Sequence, residues 1–115
     1  MKRPYVPEAG DLVWLTFDPQ RGREQRGRRP ALILSPRIYN ARTQLAVACP
    51  ITSHAKGYPF EVLVTGTEGI DGVGVILADH LKSLDWRERR AEFAGTLPAP
   101  ALADVRDRVR ALLAL

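Results

Sequence analysis

The sequence predicts a small, mainly β domain, a barrel or sandwich, carrying one helix at its C-terminal end. Three observations predict it. Six or seven short apolar or alternating runs recur at close spacing between residues 12 and 97. Clusters of Gly, Pro, Asn and Asp punctuate them. After Leu97 the period changes from two to about three and a half.

Taken in order, Pro4 and Pro7 make an extended lead-in, and Gly10-Asp11 is a turn signal. Leu12 to Phe17 reads as a strand with Leu12, Trp14 and Thr16 on one face and Val13, Leu15 and Phe17 on the other. Asp18-Pro19 ends it, and a basic loop follows. Ala31 to Ser35 is a short buried strand stopped by Pro36, with Asn40 and Thr43 in a turn region. Gln44 to Ile51 is a third strand. A loop at 52–59 leads to Phe60 to Thr65, which alternates well. Gly66 to Gly74 is a glycine-rich turn, Val75 to Ala78 a short buried strand, and Leu81 to Trp86 and Ala91 to Leu97 two further extended pieces. Pro100 suits the first turn of a helix. Leu102, Val105, Val109 and Leu112 share one face of it, and Asp104 with Arg108 forms an i,i+4 pair on the other. The helix is expected over 99–114, with Leu112, Leu113 and Leu115 over-supplying its apolar side.

At 115 residues the chain is expected to be a single domain, 1–115, able to build a core without metal or disulfide staples. Its single cysteine, Cys49, lies in an apolar run and reads as a core residue. No apolar stretch approaches a membrane span. Met-Lys-Arg-Pro-Tyr is not followed by an apolar segment, so no signal peptide is read and the expected compartment is the cytoplasm. The net charge is +4, and 14 of the 17 basic residues are arginine. Arginine pairs with phosphate bidentately and stacks on bases, which suits a nucleic-acid partner.

The most unusual stretch is 21–36. Arg21, Arg23, Arg26, Arg28 and Arg29 surround one acid, Glu24, on a loop joined directly to a strand. Neighbouring guanidinium groups hold such a carboxylate ionised. His54 and His80 have no partner at a metal-ligand spacing, so no metal or other cofactor is expected. Neither a phosphate-cradling Gly-rich loop nor a serine in a nucleophile elbow is present. The remaining constellation is Glu24, Arg28, Arg29 and the Thr52-Ser53-His54 loop. RNA supplies its own nucleophile, the 2′-hydroxyl, so such a set needs only proton transfer and charge stabilisation. By itself the pattern is weak, because any basic barrel has such residues.

The chain resembles the MazF/PemK family, the toxins of bacterial type II toxin–antitoxin systems. The resemblance rests on Tyr5-Val6-Pro7, Gly10-Asp11-Leu12-Val13-Trp14, Phe17-Asp18-Pro19, Gly22 through Glu24-Gln25, Arg29-Pro30-Ala31, Leu34-Ser35-Pro36, Tyr39-Asn40, Lys56-Gly57-Tyr58-Pro59-Phe60-Glu61-Val62, and Ala78-Asp79 through Lys82-Ser83 to Trp86-Arg87. Ordered matches over nearly the whole chain are specific where any single one is not. The resemblance implies an SH3-like β-barrel, of the kind shared by the MazF, PemK and CcdB toxins, with a C-terminal amphipathic α-helix. It also implies a homodimer and sequence-specific, metal-independent cleavage of single-stranded RNA. A cognate MazE-like antitoxin would lay an acidic tail over the RNA groove, and operator DNA would be met only through the antitoxin complex. By motif the catalytic pair is Arg29 and Thr52, and the loop glutamate is Glu24. Arg21, Arg23, Arg26, Arg28, Ser53, His54 and Lys56 are the expected RNA contacts.

Two departures stand out. Arg28 occupies a position where close relatives can carry histidine, and Ser53-His54-Ala55 replaces a more Thr/Gln/Ser-like loop. His54 is a candidate for proton transfer or base reading, weighed against a plain exposed histidine. Trp14 is expected in the core, Trp86 is undecided between core and base stacking, and Arg87, Arg89 and Arg90 border the RNA path or solvate a turn. Two other functions compete: a toxin of the same fold that binds and poisons DNA gyrase, and a barrel that binds nucleic acid without chemistry.

Overall fold

The structure, a computed structural model, describes residues 4–16, 28–65 and 73–115. Among the described residues, seven strands and two helices follow in chain order: β1 Asp11–Thr16, β2 Arg28–Ile33, α1 Arg37–Thr43, β3 Leu45–Thr52, β4 Glu61–Thr65, β5 Val73–Leu77, β6 Lys82–Asp85, β7 Glu92–Thr96 and α2 Ala99–Leu112. The strands form one strongly curled sheet, a half-barrel, in the order β4-β5-β3-β2-β1-β7, with β6 also on β3. All pairings are antiparallel. This is the mainly β architecture with a C-terminal helix that the sequence predicts.

β3 organises the curl. It pairs with β6 through residues 45–48 and with β5 at Ile51 and Thr52, so two strands follow one another along its length. Its other neighbour is β2, in the register Ala31↔Pro50, Leu32↔Cys49, Ile33↔Ala48. Alternation along the strands then sends side chains to two separate clusters. Leu12, Leu32, Cys49, Ile51, Val62, Val64, Ile76 and Ala78 meet Leu97 and Val105, with Leu102 and Val109 of α2 packed against them. Val13, Leu15, Ala31, Ile33, Ala46, Ala48, Leu84 and Trp86 form the second cluster, covered by Tyr5 and Val6 of the lead-in and by Ala91. Gly10 lets the chain enter β1 close beneath the helix. Its φ is +93°, and an added Cβ would lie 3.2 Å from Leu102 Cδ2.

Three local expectations are corrected. Residues 37–43 form a helix, not a turn. Asn40, inside it, is wholly buried. Its Nδ2 donates to the carbonyls of Pro7 and Ser35, each at 2.9 Å, and its Oδ1 accepts from the Ser35 hydroxyl at 2.6 Å. The Asn40 carbonyl in turn accepts the indole N–H of Trp86 at 2.8 Å. The tryptophans are also placed: Trp86, left undecided by the sequence, is a core residue at 5% exposed, while Trp14, expected in the core, is only half-buried. Finally, β2 begins at Arg28 and not Ala31. Pro30 is tolerated inside it because β3 pairs with β2 only from Ala31 onward, leaving Pro30 opposite Trp14 of β1 alone.

Candidate functional site

Where β2 and β3 run past their last paired residues, two polar positions come together. Continuing the Ala31↔Pro50 register by two residues sets Arg29 opposite Thr52. Alternation puts both on the face of the second cluster, at its rim. Arg29 follows the line of Ala31 and Ile33, and Thr52 that of Ala48 and Pro50. Leu15, 1% exposed, is the β1 partner of Arg29 and closes the apolar side of the rim. Arg29 is exposed and Thr52 half-buried. A cation and a hydroxyl thus lie on neighbouring strands, each two residues beyond the paired stretch. That is the form a site takes when it must bind an anion and stabilise charge developing on it.

From Thr52 the chain enters an exposed loop. The Thr52 hydroxyl accepts the His54 N–H at 3.2 Å, and Ser53, His54 and Lys56 all face solvent. The loop is held by an acid that sequence reasoning missed. The Glu61 carboxylate accepts Lys56 N–H at 2.9 Å and Gly57 N–H at 2.8 Å, with Gly57 at φ +86°. Two consecutive N–H groups with a left-handed residue make a small anion nest, here filled from within. The sequence signal was present: a glycine in a short polar loop with an acid four residues on. Arg108 of α2 fastens the other end, donating from Nε to the Pro59 carbonyl at 2.7 Å while ion-paired with Asp104. Lys56 therefore projects from a backbone tied down on both sides.

Arg28 is engaged within the protein. Its guanidinium donates to Thr16 Oγ1 at 3.0 Å, to the carbonyls of Trp14 at 3.3 Å and Arg90 at 2.9 Å, and to Glu92 Oε1 at 3.2 Å. Arg87 lies 5.4 Å over the Trp86 ring, and Arg89 donates to the Thr16 carbonyl at 3.2 Å. Arg21, Arg23, Glu24 and Arg26 lie outside the described residues. Thr52, Ser53, His54 and Lys56 follow one another from the end of β3 into its exposed loop, Arg29 is exposed near the start of β2, and Arg28 is hydrogen-bonded within the protein.

Cys49 is a core thiol: it is fully buried, and burial, with the Asp79 charge adding, pushes its pKa up to about 12. Among the described residues no three His, Cys, Asp or Glu side chains gather where a metal ion would be held. Nor, among them, is any helix long and apolar enough to cross a membrane.

Comparison with known proteins places this geometry. Residues 8–113 match the PemK-like, MazF-like toxins of type II toxin–antitoxin systems. The chain is 45% identical to the endoribonuclease toxin MazF of Escherichia coli K12 over 109 residues, covering 95% of this chain and 96% of that one. It superposes on the crystal structure of MazF from Deinococcus radiodurans with a TM-score of 0.84 and 58% identity, over 97% of this chain and 100% of the other. It matches a MazE–MazF crystal structure from the same organism with a TM-score of 0.84 and 54% identity, over 97% and 99% of the two chains. Likeness of this extent, in sequence and in fold alike, means that the chain belongs to the PemK-like, MazF-like toxins of type II toxin–antitoxin systems.

Proposed function

We propose that this MazF-family endoribonuclease cuts single-stranded RNA at specific sequences by attack of the substrate's own 2′-hydroxyl, and so arrests growth. The observation that carries the reading is the family match over residues 8–113; the exposed Arg29 near the start of β2 and the tethered loop that follows Thr52 and presents Lys56 support it. The 2′-oxygen forms a bond to the adjacent phosphorus, and the bond from phosphorus to the 5′-oxygen breaks. One proton leaves the 2′-hydroxyl and one reaches the departing 5′-oxygen. The products are a 2′,3′-cyclic phosphate (or the 3′-phosphate) and a 5′-hydroxyl.

Arg29 clamps the phosphorane oxygens, where negative charge grows. The Thr52 hydroxyl donates to the same oxygens. Glu24 handles the proton. Arg21, Arg23 and Arg26 with Ser53, His54 and Lys56 contact the strand on either side. The absence of a metal step in this scheme rests on the family resemblance, as does the role of Glu24.

The partners follow the same reading. A MazE-like antitoxin is the expected protein partner, a reading supported by the MazE–MazF crystal structure matched above, and by the family resemblance it covers the rim with acidic residues. Operator DNA is reached only through that complex. The 115 residues act as one domain in the cytoplasm, paired as a homodimer. Leu112, Leu113 and Leu115, 40%, 51% and 84% exposed, and Leu63, 59% exposed, are apolar surface for which a second copy gives a use.

The test is an oligoribonucleotide containing the cleavage sequence, with only the nucleotide 5′ to the scissile phosphate replaced by its 2′-deoxy form. Cleavage should vanish while binding changes little, because phosphate contacts carry most of the affinity. The all-ribose control should be cut in EDTA. Cleavage of the deoxy oligonucleotide would sink the transesterification reading. Absence of cleavage in any RNA would favour a gyrase-binding toxin.

A further inference from the structure

We propose that Arg28 is a positioning residue that fixes the aim of Arg29 by riveting the start of β2 to two neighbouring segments, and not an RNA contact. The inference rests on the reading of Arg29 as the catalytic cation.

The first residues of β2 need such a device. Pairing with β3 begins only at Ala31, so Arg28, Arg29 and Pro30 have β1 as their single strand partner in the ladder. Pro30 has no N–H to give even to that ladder. A strand end held on one side is free to fray, and fraying would swing the Arg29 side chain. The Arg28 guanidinium compensates. It reaches across β1 to the Trp14 carbonyl and the Thr16 hydroxyl, and beyond it to the Arg90 carbonyl and the Glu92 carboxylate of the β6–β7 turn and β7. One rigid fork thus spans three stretches of chain, from residues 14–16 to 28 to 90–92. Both terminal nitrogens of the fork are engaged, Nη1 by the Thr16 hydroxyl and Nη2 by the other three acceptors, and the side chain is only 21% exposed, which disfavours a grip on phosphate.

The chemistry matches this residue type. A planar fork with five donors can serve several acceptors at once, whereas a lysine ammonium or an imidazole cannot span the same set. Arg28 and Arg29 are consecutive in a strand, so their side chains leave on opposite faces. Arg28 is anchored on the Thr16 side, and Arg29 is thereby presented at the rim. Adjacent arginines with the same charge divide the work, one immobilised and one exposed.

The experiment compares wild type with Arg28→Ala, Arg28→Lys and Glu92→Gln, measuring kcat on a cleavable RNA. Affinity is measured separately, with the 2′-deoxy oligonucleotide as a function of salt. The expected result for Arg28→Ala is a kcat lower by about 10- to 100-fold, the scale of a small misplacement of a catalytic group, with an unchanged salt slope. Glu92→Gln should lower kcat in the same direction by a smaller factor, although it removes a negative charge, and should have no further effect in the Arg28→Ala background. Hydrogen exchange at the Arg29 and Ala31 amides should accelerate in Arg28→Ala. Should Arg28→Ala fail to fold, Arg28→Lys carries the same test.

A salt slope reduced by about 0.7, the loss of one phosphate contact on a single strand, with kcat unchanged at saturation, would overturn the proposal. So would unaltered exchange at Arg29 and Ala31. If wild type itself cuts no RNA, the endoribonuclease reading fails, and the exchange measurement still decides whether Arg28 holds the strand.

Discussion

Two motifs stand out equally in this sequence, Ser35-Pro36 with Asn40, and Arg28-Arg29 with Thr52. The fold uses them in opposite ways. Around Asn40, donors and acceptors are matched inside the protein: the amide serves Pro7 and Ser35, the Ser35 hydroxyl accepts the Val47 N–H at 2.8 Å, and Trp86 closes the group. Nothing is left over for a ligand, and a satisfied buried network of this kind fixes one arrangement of chain. At the rim, Arg29 faces solvent beside the half-buried Thr52. Polar residues saturated from within hold a fold together, and polar residues left facing outward from rigid strands are available for chemistry. Arg28 shows that the boundary between the two classes falls between consecutive residues.

The comparison can be broken most directly by exchanging its two halves. Arg29→Ala should lower cleavage by ~10²–10³-fold, as expected for removal of one preorganised charge-stabilising group, and Thr52→Ala should act in the same direction. Neither should move the thermal midpoint. Near-wild-type cleavage by a folded Arg29→Ala protein would remove the proposed mechanism.

Asn40→Ala should do the reverse. It takes the donor from the Pro7 carbonyl and the acceptor from the Ser35 hydroxyl in a buried site, at a cost of about 2 kcal/mol. In a domain of this size that is about 10 °C in the midpoint of thermal unfolding. Cleavage measured well below that midpoint should hold, and a selective loss of kcat would place Asn40 in the site after all.

Glu61→Gln lies between the two. It should weaken the tether on Lys56 and Gly57 by roughly 1 kcal/mol, about fivefold in KM with kcat nearly unchanged. A pure loss of kcat would show instead that the loop carries a catalytic group.

The smallest effect is acid sensitivity. The Glu8 carboxyl is held below its ordinary 4.5 by the N–H groups of Arg37 and Ala9, and Asp85 below its ordinary 3.8 by the Glu88 N–H and by Gln44. Lowered folded-state values mean stability that is complete above the ordinary values and is lost as pH falls through the folded ones. The thermal midpoint should therefore begin to drop below about pH 4.5. Asp85→Asn should flatten the lower part of that fall, and an unchanged slope would remove Asp85 from the account.

Much of this was legible in the sequence because it is local. Strand alternation predicted both faces of β1. The 3.6-residue period, with Pro100 in its first turn, predicted α2 and its Asp104–Arg108 pair. The motif order fixed the family, and with it the choice of Arg29 and Thr52. What composition and spacing did not supply were facts that depend on residues distant in the chain. The turn region expected around Asn40 and Thr43 is a helix whose Asn40 is held by Pro7 and Trp86, 33 and 46 residues away in sequence. Trp86 outranks Trp14 as a core residue for the same reason. Arg28 reads in the sequence as one more loop cation, and its hydrogen-bond partners Arg90 and Glu92 lie 62 and 64 residues on. Periodicity reports which face of an element is apolar, and the sequence alone therefore determined the class of fold and the list of chemically able residues. Which of those residues are consumed in holding the fold, and which remain at the rim, only the tertiary structure decided, because a hydrogen bond depends on where its acceptor lies in space.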